Sequence, residues 1–195
     1  MSPPARPIIV IPARLASTRL PDKVLADIHG TPMIVHVWRR AVAAGVGPVL
    51  VACADHEIAQ VIGEAGGEAV MTRPDHATGS DRVFEAVSAH DPDATFDAVI
   101  NLQGDLPTIE PALLTTVLEP LADGSVNIAT LAVPITQARE RDDPNVVKAV
   151  TAMPPGREMG RALYFSRAPV PAGDGPLLHH IGIYAYRRDA LARFV

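Results

Sequence analysis

The chain has 195 residues, 48% hydrophobic and 20% charged, with a net charge of -5 and 4% aromatic residues. That length suits one domain with a core that needs no staples. The acidic balance and scarce aromatics argue against a nucleic-acid binder, which needs a basic stripe or a stacking platform, and a lone cysteine excludes an intrachain disulfide.

Ile8-Ile9-Val10-Ile11 reads as a first strand buried on both faces. It runs into IPARLASTRLPDKVL, Ile11 to Leu25. From Met1 to Leu25 there are four cations (Arg6, Arg14, Arg19, Lys23) and one acid, Asp22. Ala13, Ala16 and Ser17 are small, so a polyanion can approach the backbone there. Arg14 and Arg19 offer planar forks for phosphate oxygens, and Lys23 a mobile point charge. The plainer reading is a solvated basic loop. The chain has neither G-x-x-x-x-G-K-S/T nor a G-x-G-x-x-G after this strand, which disfavours a P-loop or dinucleotide site.

Thr31-Pro32 predicts an N-cap with proline at the first helical position. Met33, Ile34, Val37, Trp38, Ala41 and Val42 then fall on one helical face, and Gly45 supplies the stop. Pro48 to Ala54 reads as a strand, with Cys53 in it as a small buried hydrophobe. Asp55 caps a helix with Ile58, Val61, Ile62 and Ala65 inward, ended by Gly66-Gly67. Glu68 to Met71 is a short strand. Ser80 or Asp81 starts a helix bearing Val83, Phe84 and Val87. Asp97 to Leu102 is a buried strand, and Pro111 to Leu121 a helix with five inward leucines and valines. This alternation predicts an α/β fold, doubly wound around a mostly parallel sheet, with ligands beyond the carboxyl ends of its strands.

After Asn127 the pattern changes to strands over Asn127 to Ile135, Val146 to Ala152, Arg161 to Arg167 and Ile181 to Arg187. The expectation is one domain over 1–195, with extra strands over 127–187 that serve sugar binding and a dimer contact. No apolar run reaches spanning length, and nothing at the N-terminus resembles a signal peptide, so a cytoplasmic protein without membrane contact is expected. A helical pattern begins at Ala190 and the sequence stops at Val195, from which a C-terminal truncation is expected.

In Asn101-Leu102-Gln103-Gly104-Asp105-Leu106-Pro107 a carboxylate follows a buried strand and a glycine. Asp105 would then sit at a strand end, where it can hold Mg²⁺. An isolated Gly-Asp is more often an ordinary turn; the cationic loop favours the site.

Seven stretches, IPARLASTRLPDKVL, GTPMIVHVWRRA, MTRPDHATGSDR, INLQGDLP, NIATLAVPI, ALYFSRAPVP and HHIGIYAYRR, resemble the CMP-KDO synthetases in the family's order. This 3-deoxy-manno-octulosonate (KDO) cytidylyltransferase family couples CTP to KDO with Mg²⁺, giving CMP-KDO and pyrophosphate for lipopolysaccharide biosynthesis. The resemblance implies that Ala13, Arg14, Ser17, Arg19 and Lys23 hold the triphosphate, that Lys23 also faces the reacting hydroxyl, and that Asp105 binds the metal. It implies Lys23, Arg14 and Asp105 as the catalytic set. It makes Met71 to Arg82 the cytosine pocket, with Thr72, Arg73, Ser80 and Arg82 as candidates; the sequence leaves open which of them touches the base. Gln103, Arg167, His180 and Tyr184 match sugar-facing positions, although a core pair is the plainer reading of His180 and Tyr184. It further implies in-line attack at the α-phosphorus. The Pro-rich strands after Asn145 suit a dimer contact, so a homodimer is expected.

Three departures qualify the resemblance. Leu106 stands where the family has glutamate, and Ala52-Cys53-Ala54-Asp55 replaces Ala-Thr-Asp. The family's later Pro-Leu-Glu, Glu-Gln-Leu-Arg and Val-Asp-Thr-Pro stretches, the last with a second metal aspartate, are not in this sequence. Two other readings therefore stand beside the enzyme: a CTP-binding fragment without catalysis, and a nucleotidyltransferase for another acid sugar.

Overall fold

The computed structural model describes residues 4–16, 22–154, 156–173 and 175–195. The β-branched run forms strand β1, Pro7–Ala13, with Ile8 to Ile11 fully buried. A 3-10 turn, Lys23–Leu25, hangs on buried Val24. Strands β2, Asp27–Ile28, and β3, Thr31–Pro32, pair as a small ribbon. This corrects the expected N-cap at Thr31. Pairing with Ile28 holds Thr31 extended, so Pro32 is the cap residue and helix α1 runs Met33–Ala44. The helix buries Ile34, Val35, Val37 and Ala41. Val42, expected inward, lies in the exposed last turn, and Gly45 ends the helix at φ 65, a left-handed conformation that favours glycine.

Strand β4, Val49–Cys53, leads to helix α2, His56–Glu64, which buries Ile58 and Ile62, and then to strand β5, Glu68–Met71. Asp55 is the α2 cap residue, but its side chain makes no cap bond. Its carboxylate instead accepts from the Leu15 N–H at 3.0 Å and so ties down the loop after β1. Helix α3, Gly79–His90, starts earlier than Ser80 because Thr78 and Asp81 form a reciprocal capping box. Strand β6, Ala98–Leu102, is buried throughout.

The helix expected over Pro111 to Leu121 is broken. Helix α4 covers only Leu113–Thr116, and a 3-10 turn follows over Glu119–Ala122. Pro120 has no N–H to give and its ring crowds the preceding turn, so an α-helix cannot continue through it. Leu114, Val117, Leu118 and Leu121 still share the inward face. Strand β7 is Ile128–Pro134. Helix α5, Ala138–Asp142, has no buried residue and hence no apolar period to announce it. Strands β8, Lys148–Ala152, β9, Arg161–Ser166, and β10, Leu178–Arg187, follow, and helix α6 is Arg188–Phe194.

Two units emerge, Met1–Ala129 with Ile183–Val195, and Thr130–Gly182. In the first, β5, β4, β1 and β6 pair in parallel in that order, and the end of β10 adds antiparallel to β6. Ile8 and Val10 face α3 and α6, packing with Val83, Val87 and Leu191. Alternation turns Ile9 and Ile11 to the other face, and Gly104, next to the end of β6, meets Ile34 of α1 alongside Ile11. The second unit is antiparallel, with β8 between β9 and the start of β10. The fold is thus a mixed α/β one with a mostly parallel core and added antiparallel strands. No helix among the described residues is long and apolar enough to cross a membrane.

Two packed polar groups give tests of this core. Cys53 is fully buried, and burial, followed by the nearby Asp55 charge, pushes its thiol up to about 11. Iodoacetamide at pH 8 is expected to leave Cys53 unmodified in the native protein and to alkylate it in urea, read by mass spectrometry; rapid native labelling would contradict the packing. Asp91 is buried at the end of α3 and accepts from the Thr95 N–H, the Thr95 hydroxyl and the Phe96 N–H at 2.9, 2.8 and 3.0 Å. Burial alone raises its pKa, but those bonds and the Arg188 charge outweigh it and hold the carboxyl low. Its contribution is therefore complete above the unfolded value of about 3.9 and is lost as pH falls through the lower folded value. Asp91→Asn is expected to flatten the acid limb of thermal stability below about pH 4. A calorimetric acid limb identical to wild type would refute this role.

Candidate active site

Strands β1 and β6 are parallel neighbours, so their carboxyl ends emerge side by side. Ala13 and Arg14 leave one end, and Gln103, Gly104 and Asp105 leave the other. Gly104 lets the turn lie close, since a Cβ there would stand 3.1 Å from the Pro12 carbonyl oxygen and 3.2 Å from Ile34 Cδ1. Between these ends lies a cleft of about 270 Å³. Ala13, Arg14 and Lys23 line one side, and Gln103 and Asp105 another. His76, Thr78, Gly79 and Arg82, from the β5–α3 segment, complete it.

The 3-10 turn places Lys23 so that its Nζ donates to Asp105 Oδ2 at 2.7 Å. The two side chains are 34% and 42% exposed. An ion pair this wet contributes only about 0–1 kcal/mol, so a ligand can separate it cheaply. The Asp22 N–H donates to the Leu15 carbonyl at 3.2 Å and draws together the two ends of the basic loop. Ser17 and Arg19 lie outside the described residues.

Arg82 is only 3% exposed, yet it lines the cleft. Its Nη1 donates to Thr72 Oγ1 at 2.6 Å, and that hydroxyl donates to the Cys53 carbonyl at 3.1 Å. Burial lowers the Arg82 pKa and the Asp55 charge opposes that; a guanidinium nevertheless stays cationic. Thr72 thus stands behind Arg82 as its support. Arg73 pairs with exposed Asp75, with Nε to Oδ1 at 3.0 Å, and does not line the cleft. Ser80 lies within hydrogen-bond distance of the Tyr186 hydroxyl at 3.3 Å.

Gln103 Nε2 donates to Asn101 Oδ1 at 3.4 Å. Tyr184 stacks on Tyr186, with ring centroids 5.9 Å apart, and burial raises its pKa. The other two sugar candidates belong to the second unit. Arg167 Nη1 donates to the Pro144 carbonyl at 2.7 Å. His180 Nε2 lies 3.0 Å from Thr130 Oγ1, and its ring packs against Phe165. Burial, then the neighbouring His179, lowers the His180 pKa.

Sequence reasoning passed over His76, which lines the cleft and pairs through Nε2 with Glu85. A signal for it was present: a histidine three residues before Gly79, inside the segment already singled out. Asp105 offers hard oxygen donors of the kind Mg²⁺ takes. Among the described residues no group of three or more His, Cys, Asp or Glu side chains gathers, so a stand-alone metal cage does not fit. A cation shared with a ligand's own oxygens does.

A cytidylyltransferase family model matches residues 8–195. The 3-deoxy-manno-octulosonate cytidylyltransferase of Paramagnetospirillum magneticum is 61% identical over 97% of this chain and 77% of its own length. The protein of the same name from Rhodospirillum centenum is 63% identical over 98% of this chain and 75% of its own. Among solved structures, a CMP:2-keto-3-deoxy-manno-octonic acid synthetase complexed with CTP superposes with a TM-score of 0.85 at 43% identity, covering 97% of this chain and 77% of that one. A nucleotidyl transferase from Methanothermobacter, at 16% identity and a TM-score of 0.58, shares the fold. With a cleft of this charge at these strand ends and identity of this depth across nearly its whole length, the chain belongs to the 3-deoxy-manno-octulosonate cytidylyltransferases.

Proposed function

We propose that the protein transfers CMP from CTP to KDO, giving CMP-KDO and pyrophosphate. The observation that carries this is the convergence of Arg14, Lys23 and Arg82 with Asp105 in one cleft at the ends of β1 and β6. Three cations beside one carboxylate suit a triphosphate that arrives with a divalent metal. The base and the sugar are those for which its relatives, the 3-deoxy-manno-octulosonate cytidylyltransferases, are named.

In the free protein Lys23 and Asp105 hold each other. Binding of the nucleotide draws Lys23 to the phosphates, and the Asp105 carboxylate it leaves would then be available to hold a divalent cation. Bound Mg²⁺ would neutralise phosphate charge, with Asp105 as its protein ligand. The sugar's anomeric hydroxyl then attacks the α-phosphorus in line and expels pyrophosphate, with Arg14 and Lys23 facing the growing charge. Gln103 and Tyr184 suit sugar hydroxyls, and Arg167 and His180 of the second unit are carried as sugar-facing residues by the family resemblance. The 71–82 segment takes the cytosine.

We also propose a homodimer in the cytoplasm. Strand β9 leaves Leu163, Tyr164 and Phe165 54%, 50% and 42% exposed, an apolar strip suited to a second copy. Light scattering is expected to give twice the 20.6 kDa chain mass; the single mass would exclude it. For the activity, pyrophosphate release is expected only when CTP, KDO and Mg²⁺ are all present. Release from CTP without the sugar, or equal release with an unrelated acid sugar, would overturn the assignment.

A further inference from the structure

The β5–α3 segment supplies His76 and Thr78 to the cleft and is fastened at each end. At its start Thr72 is tied to the Cys53 carbonyl, and at its end Thr78 closes the capping box with Asp81. Between them one carboxylate does two jobs. Glu85, on α3, accepts from the Arg73 N–H with both oxygens, at 3.2 and 3.3 Å, and pairs with His76 Nε2. The His76 side chain is 11% exposed and that of Glu85 is 32% exposed. A neutral imidazole that donates from Nε2 to a carboxylate keeps Nδ1 as a hydrogen-bond acceptor. A tie meant only to hold the segment would need no more than the Arg73 N–H; this one also orients a ring at the cleft wall.

We propose that Glu85 is a positioning residue for the nucleotide's base, acting through His76, which offers an acceptor nitrogen to an amino-bearing pyrimidine. The inference rests on the reading of the cleft as a CTP site and adds a determinant of base choice to it. Cytosine donates from its exocyclic amino group where uracil presents a carbonyl oxygen. An acceptor at that point favours the first and repels the second, and its value depends on the ring being held in one tautomer and one orientation. Glu85 sets both.

The test is calorimetric titration of Mg·CTP and Mg·UTP into wild type, Glu85→Gln, Glu85→Ala, His76→Ala and the His76→Ala/Glu85→Ala double variant. Thermal unfolding of each separates loss of fold from loss of binding. Wild type is expected to prefer CTP. His76→Ala is expected to weaken CTP binding about tenfold, the loss of one buried hydrogen bond, and UTP binding about twofold or less. Glu85→Ala moves both in the same direction, and the double variant binds no more weakly than His76→Ala, because Glu85 acts through the ring. Glu85→Gln, whose amide oxygen still accepts, recovers part of the CTP preference and carries the test if Glu85→Ala does not fold. Equal losses for CTP and UTP, or losses that multiply in the double variant, would overturn the proposal. A wild type with no CTP preference would overturn the cytidine site itself, whereas a preference untouched by either Glu85 variant would overturn this inference alone.

Discussion

Lys23→Ala is expected to lower turnover by about a hundredfold or more, the usual loss when one donor to developing charge is removed. CTP binding should weaken by less, about tenfold at most, because Arg14 and Arg82 remain as cations in the cleft. The reason lies in the partner that Lys23 leaves. In the free protein its ammonium is already engaged with Asp105 at 2.7 Å, so ground-state binding exchanges one anionic partner for another and gains little. The transition state puts more charge on the departing pyrophosphate, and the gain appears there. Steady-state kinetics and calorimetry on the same preparation check this. Weaker CTP binding with unchanged turnover would make Lys23 a ground-state clamp only.

Asp105→Asn should be as damaging to turnover, about 10²–10³-fold, through the opposite effect on binding. The amide removes a negative charge beside the expected triphosphate and frees the Lys23 ammonium, so CTP without Mg²⁺ binds as well or better. Its affinity should no longer rise when Mg²⁺ is added, because the carboxylate proposed to hold the metal is gone. Titrating CTP with and without Mg²⁺ reads this directly. A variant that kept both the Mg²⁺ enhancement and the turnover would show that Asp105 does not hold the metal. Lys23→Ala and Asp105→Asn thus have opposite signatures in metal-free CTP binding, which tells a cation donor from a metal ligand even though both depress turnover.

The sequence by itself determined the α/β alternation and the strand ends at which the candidate cleft lies. Short β-branched runs such as Ile8 to Ile11 favour strands buried on both faces. Parallel strands force their crossovers to leave from the carboxyl ends, which puts Arg14 and Asp105 at one rim. Element ends were less legible, because local competition decided them. Thr31 looked like a cap until pairing with Ile28 drew it into a ribbon. Thr78 outcompeted Ser80 because its side chain could form a box with Asp81. Helix α5, polar on every side, has no period to read.

What only the tertiary structure decided was which side chains stand together. Lys23 and Asp105 are 82 positions apart, and their pairing follows from the register of β1 on β6, which no local pattern records. Asp55 is spaced as a helix cap, yet its carboxylate serves Leu15, 40 positions away. Thr72 and Arg73 look equivalent in the sequence. The chain turns one against buried Arg82 and the other outward to Asp75. His76 and Glu85 carry no motif spacing, and they meet because the segment before α3 folds back along that helix. Hydrophobic period is a property of neighbours in the chain and survives in the sequence. Charge pairing is a property of neighbours in space and appears only once the sheet has set the register.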